Sequence, residues 1–153
     1  MVMEGGNQME IKEKDFSVVE PFANDLLNQH TASMLGTEKV TSPRKLAFAL
    51  EEDGILYGGI SGTLSGENFH VNVLALEEGM RGQDQGSRLL NALEEQALAG
   101  GARLLTVSTQ DYQALGFYEK HGYQIFGQLA DCPVAGTTKY YLYKRAQSDT
   151  EKN

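Results

Sequence analysis

A glycine-spaced turn, GMRGQDQGSRLL at residues 79–90, has the residue types that could bind an anion. It leads into leucines at helical spacing, so it would present free backbone N–H groups and the positive end of a helix dipole. It lacks the lysine of a GxxxxGK[ST] loop and is not a GxGxxG turn. On its chemistry alone, the turn predicts pyrophosphate binding; the alternative is a loop that only starts a helix. The carboxylate of Asp84 is the feature that an anion site must accommodate.

The strand that precedes this turn, FHVNVLAL at residues 69–76, carries two polar residues, His70 and Asn72. Strict alternation of side chains predicts one face made of His70, Asn72, Leu74 and Leu76. A strand between two hairpins should be central in its sheet, so this polar face could line a cleft. A polar helix or water against the same face is an equally good interpretation.

The remaining patterns predict a mixed α/β order of elements. A short strand at residues 16–20 comes first, followed by a helix opened by Pro21. Asp53-Gly54 marks a tight turn between two strands. The leucine-rich helix after the anion turn connects to the strand LLTVST, and a right-handed crossover makes the two flanking strands parallel. A short helix over DYQALGFYEKHG and two strands, YQIFGQL and TTKYYLYK, complete the order.

The bulk composition limits the classes of protein. With 153 residues, we expect a single domain with one core over residues 9–146, and polar, disordered ends at 1–8 and 147–153. A net charge of −8 argues against nucleic acid as a partner. Cys132 is the only cysteine and the three histidines are far apart, so no metal site is predicted. No apolar run has the length of a signal peptide or membrane span, which predicts a cytoplasmic protein without membrane association.

Two motifs in order give the sequence a family resemblance. The first is Arg81-Gly82-Gln83-Asp84-Gln85-Gly86, and the second is Phe117-Tyr118-Glu119-Lys120-His121-Gly122-Tyr123, after a predicted helix and strand. Together they make the stretch from Leu74 to Gly127 resemble the GNAT (Gcn5-related N-acetyltransferase) family. The resemblance implies a central, twisted, mixed and mostly antiparallel sheet of about six to seven strands, flanked by about four helices. It also implies that the strand ending at Leu74-Ala75-Leu76 splays away from the LLTVST strand, and that the pantetheine of CoA enters the gap between them.

The resemblance implies roles for individual residues, with acetyl-CoA as the co-substrate. Tyr118 would be the general acid that protonates the departing thiolate. An amide near Leu76 would polarise the thioester carbonyl. The cofactor-binding residues would be Leu74, Ala75, Leu76, Arg81, Gly82, Gln83, Asp84, Gln85, Gly86, Ser87, Asp111, Ala114 and Phe117.

The general base is less constrained by the motifs. Family members that use a direct base often carry a glutamate on the central strand, and His70 stands at that position here. A neutral imidazole at pH 7 could accept the amine proton. The alternative is a water relay to Glu77 or another carboxylate, with His70 structural.

Three residues depart from the family pattern. Asp84 replaces the first glycine of the turn, Gln85 replaces an aliphatic residue, and Asp111 replaces an asparagine. We expect Asp84 to face away from the phosphate, to tolerate the unusual backbone angles and to cap the following helix. Asp111 could cap the tyrosine helix.

The implied activity is transfer of an acetyl group to a primary amine, in a small molecule or a peptide, by direct attack in a ternary complex. The alternative is a CoA-binding sensor or interaction module without transfer activity. The acceptor site should involve PFANDLLNQH, the loop before VTSPRK and LADCPVAGTT, where Glu20, Asp25 and Asp131 permit a cationic amine. The aromatic strand KYYLYK could form a homodimer, although core packing explains it equally well.

Overall fold

The computed structural model describes residues 8–147 and divides the chain after Val40 into two compact units. The first unit contains helix α1 (Phe16–Leu35) and a 3-10 turn at Thr37–Lys39. Asp15 starts α1, because its carboxylate accepts a hydrogen bond of 2.9 Å from the backbone N–H of Ser17. The strand predicted at residues 16–20 is therefore wrong, and Pro21 lies inside the helix rather than opening it.

The second unit, from Thr41, is built on a six-stranded sheet with the order β1-β2-β3-β4-β6-β5. Only β3 and β4 are parallel, and every other neighbouring pair is antiparallel. The elements of this unit are β1 (Arg44–Glu52), β2 (Ile55–Ser65), β3 (Asn68–Leu76), α2 (Gln85–Ala99), β4 (Leu104–Gln110), α3 (Leu115–Lys120), β5 (Gln124–Ala130) and β6 (Thr138–Arg145).

These elements confirm the predicted mixed, mostly antiparallel sheet and the parallel β3–α2–β4 unit. The tight turn at Asp53-Gly54 is also confirmed, with positive φ at both residues. Within residues 8–147 there are three α-helices rather than about four. The expectations for the polar ends fall almost wholly on residues 1–7 and 148–153, which lie outside the described residues.

The core of the second unit lies between α2 and one face of the sheet. Leucines recur along α2 at helical spacing, so Leu89, Leu90 and Leu93 all point into the core. Strands β3, β4 and β6 contribute the fully buried side chains of Phe69, Val71, Leu105 and Leu142. Gly62 of β2 lets the ring of Phe69 approach closely, because a Cβ at that position would collide with the ring. This packing fixes α2, and with it the turn before it, against the centre of the sheet.

A β-bulge at Asn72 changes the faces of β3. Ser61 lies opposite Val73 and Gly62 lies opposite Val71, so Asn72 has no partner in β2. Past the bulge the alternation is reversed: Leu74, opposite the buried Ile60, packs against the core, whereas Val73 is 55 % exposed. The predicted face that joined His70 and Asn72 to Leu74 and Leu76 is therefore wrong, because one inserted residue moves the later side chains to the other face.

Candidate active site

The candidate site is the gap that opens where β3 and β4 separate. The two strands pair from Asn68 opposite Leu104 to Val71 opposite Val107, and no further. The bulge at Asn72 bends β3 at this point, while β4 stays paired with β6 to its last residue. A cavity of about 840 Å³ opens between the strands. Its walls are formed by residues 71–76, Arg81, Gly86, 107–109, 112–114, Phe117 and Tyr118.

The separation leaves backbone N–H groups of β3 without a strand partner. The N–H of Glu77 donates to the carbonyl of Tyr57 in β2 at 2.8 Å. In an antiparallel pair the direction of the backbone groups alternates, so Ala75 also faces β2, while the N–H groups of Leu74 and Leu76 point towards the gap. An extended chain lying in the gap could accept hydrogen bonds from them, as an added strand would.

The turn between β3 and α2 supplies a second group of free donors. The first bond of α2 runs from the N–H of Arg88 to the carbonyl of Asp84 at 3.1 Å. The N–H groups of Gln85, Gly86 and Ser87 precede this bond and have no partner within the helix. They lie at the positive end of the α2 dipole, next to the side chain of Arg81 in the wall of the gap. This donor set suits a pyrophosphate.

Asp84 sits at the start of α2 with a left-handed backbone, at φ 60° and ψ 14°. Its side chain is exposed and makes no capping hydrogen bond, so the predicted cap is wrong. A side-chain cap needs an extended backbone at this position, and in the left-handed conformation the carboxylate makes no bond to the free N–H groups. The aspartate therefore occupies a conformation that a glycine would adopt without strain.

Tyr118 also lines the gap, on the short helix α3, and is only 3 % exposed. Its ring packs edge-on against Phe117 and Tyr123, with centroids 5.2 and 5.4 Å away. Burial raises the pKa of the Tyr118 hydroxyl to about 12, so the hydroxyl keeps its proton at neutral pH. A protonated hydroxyl beside the gap can donate a proton to a leaving group.

The start of α3 also differs from the prediction for Asp111. The residue that precedes the helix is Ala114, whose N–H donates to the hydroxyl of Thr109 at 3.2 Å. Asp111 precedes it by a turn, and its N–H donates to the carbonyl of Thr138. The predicted Asp111 cap is therefore wrong, since the helix begins too far along the chain for that carboxylate to reach its first N–H groups.

His70 projects from the face of the sheet opposite Tyr118. It lies between Thr63 and Thr106 on the neighbouring strands, and its Nδ1 is 2.8 Å from the hydroxyl of Thr106. Partial burial, with a smaller contribution from the charge of Lys139, lowers the pKa of His70 below its usual 6.5. The imidazole is therefore neutral at pH 7, but it is not part of the cavity wall.

The structure brings together some of the predicted site residues and separates others. Leu74, Ala75, Leu76, Arg81, Gly86, Ala114, Phe117 and Tyr118 all line the gap. The wall does not include Gly82, Gln83, Asp84, Gln85, Ser87, Asp111 or His70. The sequence interpretation placed the LLTVST strand beside the gap but named none of its residues, of which 107–109 line the wall, and it missed Tyr112 and Gln113. The order strand–helix–strand is what places the end of LLTVST beside β3.

The comparisons with known proteins agree with this geometry. The model of the acetyltransferase (GNAT) domain family matches residues 11–130. The chain belongs to the GNAT family. Blasticidin-S acetyltransferase of Streptomyces morookaense is 37% identical over 98 residues, which cover 63% of this chain and 71% of that protein.

Solved structures show the same fold. An acetyltransferase from Bacillus cereus has a TM-score of 0.80 at 28% identity, with coverage of 90% of this chain and 98% of the other. An aminoglycoside 6'-N-acetyltransferase complexed with coenzyme A has a TM-score of 0.63 at 22% identity. The match covers 92% of this chain and 100% of that protein's chain. The latter likeness is evidence of the fold alone.

This GNAT protein is an acyl-CoA N-acetyltransferase, and acetyl-CoA is its co-substrate. The gap suits that molecule, because the free N–H groups of β3 could bond an extended chain and those of α2 could bond a pyrophosphate. Within residues 8–147, no group of three or more His, Cys, Asp or Glu side chains could hold a metal ion. No helix in the same range is long and apolar enough to cross a membrane.

Proposed function

We propose that this GNAT protein transfers the acetyl group of acetyl-CoA to a primary amine by direct attack in a ternary complex. The observation that carries the proposal is the position of Tyr118, a buried tyrosine that keeps its proton and lines the same gap as Leu74 and Leu76 of β3. Acetyl-CoA supplies an activated thioester. The protein's residues hold it, polarise its carbonyl and move two protons.

The reaction needs two proton transfers, one to the leaving sulfur and one from the attacking nitrogen. As the amine nitrogen bonds to the carbonyl carbon and the C–S bond breaks, the N–H group of Leu76 stabilises the negative charge on the carbonyl oxygen. Tyr118 gives its proton to the sulfur and recovers one from solvent. The nitrogen loses a proton to a base, which leaves a neutral amide and the free thiol.

We propose His70 as that base, and two observations support it. The lowered pKa keeps its imidazole unprotonated at pH 7, and its face of the sheet is opposite to that of Tyr118. An acid and a base on opposite faces suit a reaction in which the amine approaches from one side and the thiol leaves on the other. Because His70 lies outside the cavity wall, a water molecule between its Nε2 and the amine would complete the path. A water relay to Glu77 remains the alternative.

The acceptor that we propose is a small-molecule amine. The relative from Streptomyces morookaense is named for the acetylation of blasticidin S, which supports an acceptor of that size. The match of the family model to residues 11–130 supports the proposal that residues 9–146 act as one domain. A cytoplasmic location and a homodimer stay predictions.

Release of free thiol from acetyl-CoA tests the proposed function directly. Purified protein is incubated with acetyl-CoA and one amine at a time: blasticidin S, an aminoglycoside, a polyamine or a lysine peptide. We expect amine-dependent thiol release with a small molecule and an acetylated product of matching mass. Binding of CoA without amine-dependent release across the panel would favour the module without transfer activity, and release with the peptide alone would overturn the small-molecule assignment.

A further inference from the structure

His121 is a half-buried histidine that neither the proposed chemistry nor the binding groups described above use. It follows the last residue of α3, where it ends the helix. Its Nε2 lies 2.9 Å from the hydroxyl of Ser87, in the first turn of α2. This hydrogen bond joins the tyrosine helix to the turn whose N–H groups face the gap.

The ring of His121 is held in place by Phe117. The two side chains are one helical turn apart, and their ring centroids are separated by 4.7 Å. Phe117 in turn lies against Gly86, since a Cβ on that glycine would be 3.3 Å from the phenyl ring. Tyr118 and Phe117 line the gap, and Phe117 connects them to His121, which lies at the start of α2 outside the cavity wall.

We infer that His121 and Ser87 form a side-chain extension of the pyrophosphate site, in which the imidazole N–H and the serine hydroxyl exchange their mutual hydrogen bond for bonds to phosphate oxygens of CoA. This inference rests on the proposed use of acetyl-CoA at the same gap. The backbone N–H of Ser87 is among the free donors of α2, so an anion bound there lies close to its hydroxyl. Nε2 is within hydrogen-bond distance of that hydroxyl and can reach the same anion.

The pair would also supply side-chain donors that the turn before α2 lacks. Asp84 and Gln85 stand where the family pattern has a glycine and an aliphatic residue. Arg81 is the only cationic side chain in the cavity wall, among the residues that the structure describes. Two donors from His121 and Ser87 would add charge-assisted hydrogen bonds to an anion that otherwise depends on backbone groups.

Two substitutions at His121 separate phosphate binding from packing. His121→Phe keeps a ring against Phe117 but removes the N–H, whereas His121→Gln keeps a donor and removes the ring. We expect the dissociation constant of CoA, from calorimetry, to rise about tenfold in His121→Phe and Ser87→Ala, and less than about threefold in His121→Gln. The opposite order, with His121→Gln weaker than His121→Phe, would mean that the ring only packs and would overturn the inference.

Shortened ligands identify which phosphate is contacted. Dephospho-CoA keeps the pyrophosphate and lacks the 3'-phosphate, whereas pantetheine has no phosphate. We expect His121→Phe to weaken dephospho-CoA as much as CoA and to leave pantetheine unchanged. A loss restricted to CoA would assign His121 to the 3'-phosphate, and an equal loss for all three ligands would indicate a structural role; either result contradicts the inference.

The failure of this inference can be told apart from failure of the proposed function. Binding of CoA is measured without an acceptor amine, so the result does not depend on catalysis. If wild type binds CoA and all three variants bind it equally well, His121 and Ser87 are not ligands, while the acetyl-CoA site stands. If wild type does not bind CoA, the proposed function fails as well. Thermal unfolding of the ligand-free variants is the control, and we expect it to match wild type within about two degrees.

Discussion

Two cavities open at opposite ends of α2, and their polar groups differ in whether they already have partners. At the start of α2, the gap of about 840 Å³ presents free N–H groups and the hydroxyl of Tyr118. Near the end of α2, a cavity of about 730 Å³ is lined by Glu94, Arg103 and Lys144, among others. Their volumes are similar, so size alone does not single out the active site.

In the second cavity Glu94 and Lys144 bind each other, and the buried Tyr123 beside them binds the same carboxylate. Tyr123 donates its hydroxyl proton to Glu94 at 2.6 Å, and the ammonium of Lys144 lies 3.1 Å from the same carboxylate. Burial and the bond to Glu94 raise the pKa of the Tyr123 hydroxyl well above its usual range. Groups with satisfied partners stabilise a fold, whereas oriented groups left without partners can bind a ligand. The comparison therefore predicts that substitutions in the first cavity change activity and those in the second change stability.

The largest effect should come from Tyr118→Phe, which removes the acid and preserves the ring. We expect kcat to fall about 10²- to 10⁴-fold, because the thiolate would leave without a proton donor. The dissociation constant of CoA and the unfolding temperature should stay close to those of wild type. Because the pKa of Tyr118 is about 12, wild type should show no loss of this proton up to about pH 10. A kcat within about threefold of wild type would remove Tyr118 from the chemistry.

His70→Gln should lower kcat about 10- to 100-fold without weakening CoA binding. In the folded state burial disfavours the imidazolium, so wild-type His70 binds its proton only below pH 6.5. The acidic limb of kcat at saturating amine should therefore lie below pH 6.5 in wild type and be absent from the variant.

The same shift in pKa has a consequence for stability. Between its folded pKa and 6.5 the unfolded chain binds more protons at His70, so this contribution to stability falls as the pH falls through that window.

The kinetic test of His70 has a contrary outcome as well. If the acidic limb of the pH dependence of kcat is unaltered in His70→Gln, the water relay to Glu77 is favoured.

Glu94→Ala tests the second cavity. The substitution leaves Lys144 and the Tyr123 hydroxyl without their partner, and we expect the free energy of unfolding to fall by about 2 kcal/mol. Glu95→Ala, an exposed neighbour on the same helix, is the matched control and should change it by less than about 0.5 kcal/mol. Both values come from urea unfolding. If Glu94→Ala instead reduced kcat as strongly as Tyr118→Phe at unchanged stability, the second cavity would take part in the activity, and the distinction between the two cavities would be wrong.

The sequence predicted those features of the fold and of the candidate site that depend on residues close together in the chain. The Asp53-Gly54 turn, the leucine periodicity of α2 and the glycine-spaced turn all express preferences of neighbouring residues, and the parallel unit follows from their order. The bulge at Asn72 was not predictable, because it is defined by the pairing of β3 with β2. For the same reason the contacts of His121 with Ser87 and of Tyr123 with Glu94 depend on how α2 and α3 pack.

Asp84→Gly should have the smallest effect, and it tests whether the turn before α2 is limited by its own carboxylate. Glycine adopts the left-handed backbone of residue 84 without strain, and its introduction removes a negative charge close to the free N–H groups. The exposed carboxylate makes no capping bond that would be lost. We expect the affinity for CoA, measured by calorimetry, to stay the same or to improve by up to about threefold. A collapse of CoA affinity would mean that the carboxylate orders the turn, so that the donors of the first cavity depend on a side chain outside its wall.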